Sequence, residues 1–156
     1  QRLRHLVAPR VSAACFSTLW NRWTTARRFQ RRSSTNNRCL LCCNPSAEDS
    51  IEHYAHCPVM RSVGKRYLKV DVQGLADFLL CSPTLTDDAT LVCVAVLVYA
   101  VYRASNLYRF TARPQDAQVA QDAVEQFCRA AVTDHAISCK IVSNRWAQQT
   151  QADARA

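Results

Sequence analysis

A short stretch rich in cysteine and histidine constrains this chain more than any other feature of its sequence. Residues 39–57 read CLLCCNPSAEDSIEHYAHC and contain the pattern C-x2-C-x10-H-x3-C. Three thiolates and one imidazole at this spacing can surround Zn²⁺ as a tetrahedron. The pattern therefore predicts a zinc site whose ligands are Cys39, Cys42, His53 and Cys57.

The spacing within each pair of ligands explains how the four side chains would converge. Two residues between Cys39 and Cys42 allow a tight turn to direct both sulfur atoms to one point. His53 and Cys57 are four residues apart, which places both side chains on the same face of a short helix. Between the two pairs, Asn44-Pro45-Ser46 is a turn signal.

Two ligand choices remain open within the motif. Cys43 could replace Cys42, and His56 could replace His53, although His56 adjoins Cys57 and would strain the chelate. In each version all four ligands are protein side chains, so no position is left for water or substrate and the predicted site is structural. The alternative is a small hydrophobic layer of buried free cysteines, which behave as apolar side chains.

The motif also resembles a segment of a known protein family. The shared residues are Cys39, Cys42, the run Ile51-Glu52-His53 and the ending His56-Cys57-Pro58. Together they are similar to the small zinc-binding segment that follows the polymerase domain in non-LTR (LINE-type) retrotransposon reverse transcriptases. The family has glycine where this chain has Cys43, and the chain lacks the aromatic-x-Asp-Asp turn of the polymerase. The resemblance therefore implies a C-terminal tail domain, or a product derived from one, that binds nucleic acid.

Composition indicates the fold class and the cellular compartment. Two glycines and five prolines in 156 residues argue against a β protein with many tight turns. The prediction is one all-α domain with a zinc-stapled CCHC loop and short helix. Nine cysteines, an odd number, without a visible secretory signal indicate a reducing, intracellular compartment. The resemblance implies that this compartment is the nucleus, and an organelle is the alternative.

The chain divides into four parts by composition and periodicity. They are a basic amphipathic helix with an Arg-rich segment (1–38), the zinc-binding module (39–60), a helical core (61–147) and a polar tail (148–156). Helices are predicted at residues 10–30, 60–68, 74–80, 91–102 and 114–136. Trp20 and Trp23 should anchor the first helix in the core, and Pro114 should open the last one.

The most apolar stretch, residues 91–102, reads LVCVAVLVYAVY. A membrane-spanning helix takes about 20 residues, so no transmembrane segment is predicted. We expect a buried helix capped by Asp87 or Asp88. Its β-branched residues leave a strand as the alternative.

Positive charge is concentrated in the first 47 residues of the chain. The chain has 17 arginines, three lysines and a net charge of +8, and residues 1–47 hold nine arginines without one acidic residue. Guanidinium groups bind phosphate oxygens in pairs, so these residues are predicted to contact RNA or DNA backbones. The predicted contacts are Arg27, Arg28, Arg31, Arg32 and Arg38. A solvated helix end and an organelle transit peptide are the alternatives.

Two functions follow from these observations. The first is a nucleic-acid-binding zinc module of the reverse-transcriptase tail type. The second is a zinc-stapled helical subunit of a larger protein, ribonucleoprotein or membrane assembly, in which the arginines face acidic protein partners. An enzyme is not predicted, because the sequence offers no nucleophile–base set and no paired carboxylates at meaningful spacing.

Overall fold

The computed structural model describes residues 2–29 and 37–153, with side chains described as far as Arg145. Its α-helices are α1 (Leu3–Leu6), α2 (Pro9–Leu19), α3 (Ile51–Tyr54), α4 (Pro58–Val63), α5 (Leu75–Phe78), α6 (Asp88–Phe110), α7 (Ala117–Thr133) and α8 (Ala136–Asp153). A π-helical segment, Gly64–Leu68, continues α4. Within the described residues the only β pairing is an isolated bridge between Arg38 and Glu48. The predicted all-α fold is confirmed.

Helix α6 forms the centre of the core. Asp87 caps it, since the carboxylate accepts a hydrogen bond of 2.7 Å from the amide of Thr90. Every residue from 91 to 101 is buried, and a helix that is apolar on all sides is stable only when other elements surround it. The strand alternative is wrong, and the helix continues beyond the apolar run as far as Phe110.

The length of α6 bears on the expectation that the chain has no helix long enough to span a membrane. With 23 residues it is long and apolar enough to cross a membrane by length and composition alone. However, 72% of its most apolar window is buried by other parts of the fold. Helices α2 and α7 and the π-helical segment pack against it, an arrangement that is also found in core helices of globular domains.

The first long helix is shorter than predicted. Helix α2 ends at Leu19 and not near residue 30, because Asn21 adopts a left-handed backbone with φ of 48°. Thr18 turns the chain inward: its hydroxyl donates to the carbonyl of Ala14 at 2.8 Å and accepts from Trp23 Nε1 at 2.9 Å. The sequence after α2 therefore folds back onto the core.

The two tryptophans behave differently. Trp23 is buried and contacts the rings of Tyr54, Phe78 and Tyr102, with centroid distances of 5.4, 6.0 and 5.2 Å. Trp20 is 74% exposed, so the prediction that it anchors the helix is wrong. The ring that joins the N-terminal part to the zinc-motif segment and to α6 is Trp23.

The last predicted helix begins later than predicted, and the structure has a further helix after it. Asp116 caps α7 by accepting a hydrogen bond of 2.9 Å from the amide of Val119, so Pro114 precedes the helix and does not open it. Helix α7 ends at Thr133, and a separate helix α8 runs as far as Asp153. Residues 148–153 of the predicted polar tail thus belong to a helix, and residues 154–156 lie outside the described part.

Gly64 allows α4 and its π-helical continuation to lie close against α6. A Cβ atom at this position would lie 2.9 Å from Cδ2 of Leu97 and 3.1 Å from the carbonyl oxygen of Val70. The Val70 amide donates to the Gly64 carbonyl at 3.1 Å, so the two backbones are held together. The contact leaves no room for a side chain.

We expect Gly64→Ala to destabilise the fold by about 1–3 kcal/mol, the usual cost of an overpacked core. In an exposed helix, glycine to alanine would stabilise the protein by up to about 1 kcal/mol. The sign of the change in stability therefore tests whether Gly64 is tightly packed. Gly74→Ala is the matched control: its Cβ would meet His56 Cε1 at an ordinary 3.6 Å. The free energy of unfolding, measured in urea, should be nearly unchanged in the control. A Gly64→Ala protein as stable as the parent would contradict this packing.

Candidate metal centre

The first two cysteines of the motif lie in a tight turn whose backbone amides point at sulfur. The amide of Leu41 donates to Cys39 Sγ at 3.4 Å. The amide of Cys42 also interacts with the Cys39 sulfur, and the amide of Asn44 with the Cys42 sulfur. Donors of this kind stabilise thiolates and orient metal ligands. The turn is therefore built to present two thiolates on one side.

Cys43 points away from this cluster. Its backbone is left-handed, with φ of 55°, and its exposed sulfur lies 3.8 Å from the carbonyl oxygen of Pro114. A left-handed backbone is the conformation that favours glycine, which explains how glycine suits the same position in the family that the motif resembles. Of the two alternatives, the structure brings Cys42 and not Cys43 to the other candidate ligands.

The second pair of candidate ligands comes from the ends of two short helices. His53 lies in α3, which Ser50 caps by accepting a hydrogen bond of 3.1 Å from the His53 amide. Cys57 is the N-cap residue of α4, and Pro58 is the first residue of that helix. The two ligands were predicted to share one helix, but α3 ends at Tyr54. They converge because the chain turns between α3 and α4.

The four candidate ligands form one cluster. Their ligand atoms all lie within 4.8 Å of one another. The sulfur atoms of Cys39 and Cys57 are 4.0 Å apart, and Cys42 Sγ is 3.4 Å from His53 Nε2. A tetrahedral site with Zn–S bonds of about 2.3 Å places its sulfur atoms about 3.8 Å apart. The cluster therefore has the dimensions of a tetrahedral metal site, and His56 is not part of it.

The electrostatics of the cluster suit a cation. Hydrogen bonding to Cys57 lowers the pKa of Cys39 to about 4 and that of Cys42 to about 6. The same hydrogen bonds, together with burial, raise the pKa of Cys57. A hydrogen bond with Cys39 raises the pKa of His53 to about 9. Thiolates are therefore favoured at Cys39 and Cys42, and a divalent cation would displace the remaining protons from the cluster.

A buried ion pair attaches this module to the core. The carboxylate of Asp49 is 0% exposed and accepts two hydrogen bonds from Arg109, at 2.9 and 3.2 Å. It also accepts hydrogen bonds of 2.8 Å from the Tyr54 hydroxyl and from the amide of Ala26. Sequence reasoning missed this pair. An arginine close to the apolar run of α6 is the one signal that could have indicated it.

Two of the arginines predicted to bind phosphate have other partners in the folded chain. Arg27 is paired with Glu48 at 3.1 Å. Arg28 donates to the carbonyl of Trp23 at 3.3 Å and lies over the ring of Phe29. Arg38 is exposed beside the buried Cys39, and the predicted contacts Arg31 and Arg32 lie outside the described residues.

Acidic residues from the second half of the chain reduce the positive charge of the first half. Arg2 pairs with Asp88, and Arg10 pairs with Asp134. The acid-free composition of residues 1–47 therefore overstates the charge that the folded surface presents. Arg38, next to the cluster, has no carboxylate partner among the described residues.

Comparisons of this chain with protein families, with curated proteins and with solved structures find no match. The cluster of Cys39, Cys42, His53 and Cys57 could hold a metal ion. Its function has to be inferred from the residues themselves.

Matched substitutions test which side chains hold the metal. We expect the purified chain to contain one metal ion, Cys42→Ser and His53→Gln to lose most of it, and Cys43→Ser and His56→Gln to keep it. The physical reason is that Cys42 and His53 belong to the cluster, whereas Cys43 and His56 do not. Metal per chain is measured by elemental mass spectrometry after dialysis. Loss of metal from Cys43→Ser with retention in Cys42→Ser would reverse the assignment.

Proposed function

We propose that the bound ion is Zn²⁺ and that its role is structural. Three sulfur donors and one imidazole nitrogen are the ligands that zinc prefers, whereas hard cations such as Mg²⁺ and Ca²⁺ prefer oxygen. Cys39 and Cys57 are buried, and the protein supplies all four donors. Such a site leaves no coordination position for substrate, so we expect no catalysis by this centre.

The zinc-stapled module is, in this proposal, a nucleic-acid-binding module that resembles the tail domain of a non-LTR retrotransposon reverse transcriptase. The observation that carries the proposal is the position of Arg38. This exposed arginine has no carboxylate partner among the described side chains and adjoins Cys39, the first ligand of the cluster. The net charge of +8 favours polyanions in general. Zinc would fix the turn, and the arginine beside it would contact a phosphate.

Arginine contacts to phosphate carry no information about the bases, so binding should be largely independent of sequence. All nine cysteines lie in the described part and are free thiols. This supports a reducing, intracellular location, which would be the nucleus for a product derived from a retroelement. The proposed partners are RNA and DNA, which both present a phosphate backbone.

A second candidate function is supported by an apolar surface on α2. Phe16 and Leu19 are 38% and 44% exposed, and Trp20 is 74% exposed. Phe16 and Leu19 also line a mostly apolar cavity of about 220 Å³ together with Leu79 and Leu80. Contiguous exposed apolar surface commonly marks a protein interface. It favours a subunit of a larger assembly, in which this face is covered by a protein partner.

Salt dependence distinguishes the two functions. If three phosphates are contacted, affinity for a short RNA or DNA should fall about 20- to 40-fold between 50 and 200 mM salt, because counterions are released on binding. The measurement is a fluorescence anisotropy titration of the metal-loaded chain at several salt concentrations. Chelation of the metal should abolish the binding. An affinity independent of salt, or equal binding after chelation, would contradict the nucleic-acid function.

A further inference from the structure

A small polar cavity lies directly beside the metal cluster. It has a volume of about 230 Å³ and is formed between the turn at residues 38–44 and the linker that joins α6 to α7. Its polar side chains are Arg38 and Asn44 from the turn, and Arg113 and Gln115 from the linker. The cavity therefore brings together two arginines that are far apart in the sequence.

Neither of these arginines has a carboxylate partner within the described part of the chain. Seven of the other arginines there do have one: Arg2, Arg10, Arg27, Arg61, Arg109, Arg129 and Arg145. Two like charges facing one cavity repel each other, and an anion bound between them would relieve this repulsion. The pair is thus a site of uncompensated positive charge.

The nearest acidic side chains have other partners. Glu48 lies opposite Arg38 in the isolated bridge but pairs with Arg27 at 3.1 Å. Asp116 follows the linker and accepts the hydrogen bond from Val119 that caps α7. Both carboxylates are therefore engaged elsewhere, and an external anion is free to bind the two guanidinium groups.

The size and the donors of the cavity define the ligand. Asn44 accepts a hydrogen bond of 2.9 Å from the Ser46 amide with Oδ1, which leaves its NH₂ group as a donor. Guanidinium groups bind phosphate through paired N–H···O bonds. The volume is smaller than the roughly 300–1,000 Å³ of sites for drug-sized ligands, so it suits a single phosphate group and not a whole nucleotide.

We propose that this cavity binds one backbone phosphodiester of a nucleic acid between Arg38 and Arg113. This inference rests on the proposed nucleic-acid function and assigns its phosphate contact. Arg38 immediately precedes Cys39 in the chain, so the metal-held turn fixes one side of the site. Arg113 fixes the other side from the end of α6.

The test uses the metal-loaded chain and three probes. They are inorganic phosphate, a short single-stranded oligonucleotide with a 5′-hydroxyl, and the same oligonucleotide with a 5′-phosphate. Arginine Nε–H and backbone amide signals are followed by NMR. The 5′-hydroxyl oligonucleotide should shift the Arg38 and Arg113 signals in a saturable way, and inorganic phosphate should compete at the same signals.

Substitutions give the quantitative result. Arg38→Gln and Arg113→Gln should each weaken oligonucleotide binding about 10-fold, the loss expected for a charge-assisted hydrogen bond. Arg66→Gln is the control, because Arg66 is exposed on the π-helical segment over Tyr67, away from the cavity; its affinity should stay within about 2-fold of the parent. Each variant is checked for one bound metal ion, which shows that the turn is intact.

Several results would overturn the inference. Parental affinity in both cavity variants would refute it while the nucleic-acid function stands. Binding only of the 5′-phosphorylated oligonucleotide would assign the cavity to a terminal phosphate instead of the backbone. If inorganic phosphate saturates the site and neither oligonucleotide binds, both this inference and the proposed function fail.

Discussion

The structure depends on a cluster of three sulfur atoms that cannot all be negatively charged without a cation. Cys39 and Cys57 are buried, with sulfur atoms 4.0 Å apart, and like charges at this distance repel strongly when water is excluded. A divalent metal would remove this conflict and join the turn at Cys39 and Cys42 to His53 and Cys57. Between the end of α2 and the start of α3, the described chain is turns and one isolated bridge. In this proposal, metal binding is the interaction that gives this region its shape.

A second interaction determines where the metal-binding module sits. Asp49 and Arg109 join it to the C-terminal part of α6, and both charges are almost completely removed from solvent. A buried ion pair adds little net stability, but loss of one partner typically costs about 3–5 kcal/mol because the other charge is left buried. In this proposal the metal shapes the module, and the ion pair joins it to the core. Together they place Arg38 opposite Arg113.

The sequence predicted the features that depend on local pattern. The ligand spacing indicated the cluster, and the apolar run indicated the buried helix α6. It did not predict the exposure of Trp20 or the pairing of Arg27 with Glu48, because both depend on how distant segments approach each other. The start of α7 was misplaced for a local reason: the side-chain cap supplied by Asp116 outweighs the preference of proline for a first helical turn.

The most direct test of this account is X-ray absorption spectroscopy at the zinc edge on the purified chain. The account predicts three sulfur neighbours at about 2.3 Å and one nitrogen at about 2.0–2.1 Å, with no additional water ligand. This would establish the metal, the donor set and the closed coordination in one measurement. Absence of zinc, or a shell with two sulfur atoms and oxygen ligands, would contradict the structural zinc site and the functions derived from it.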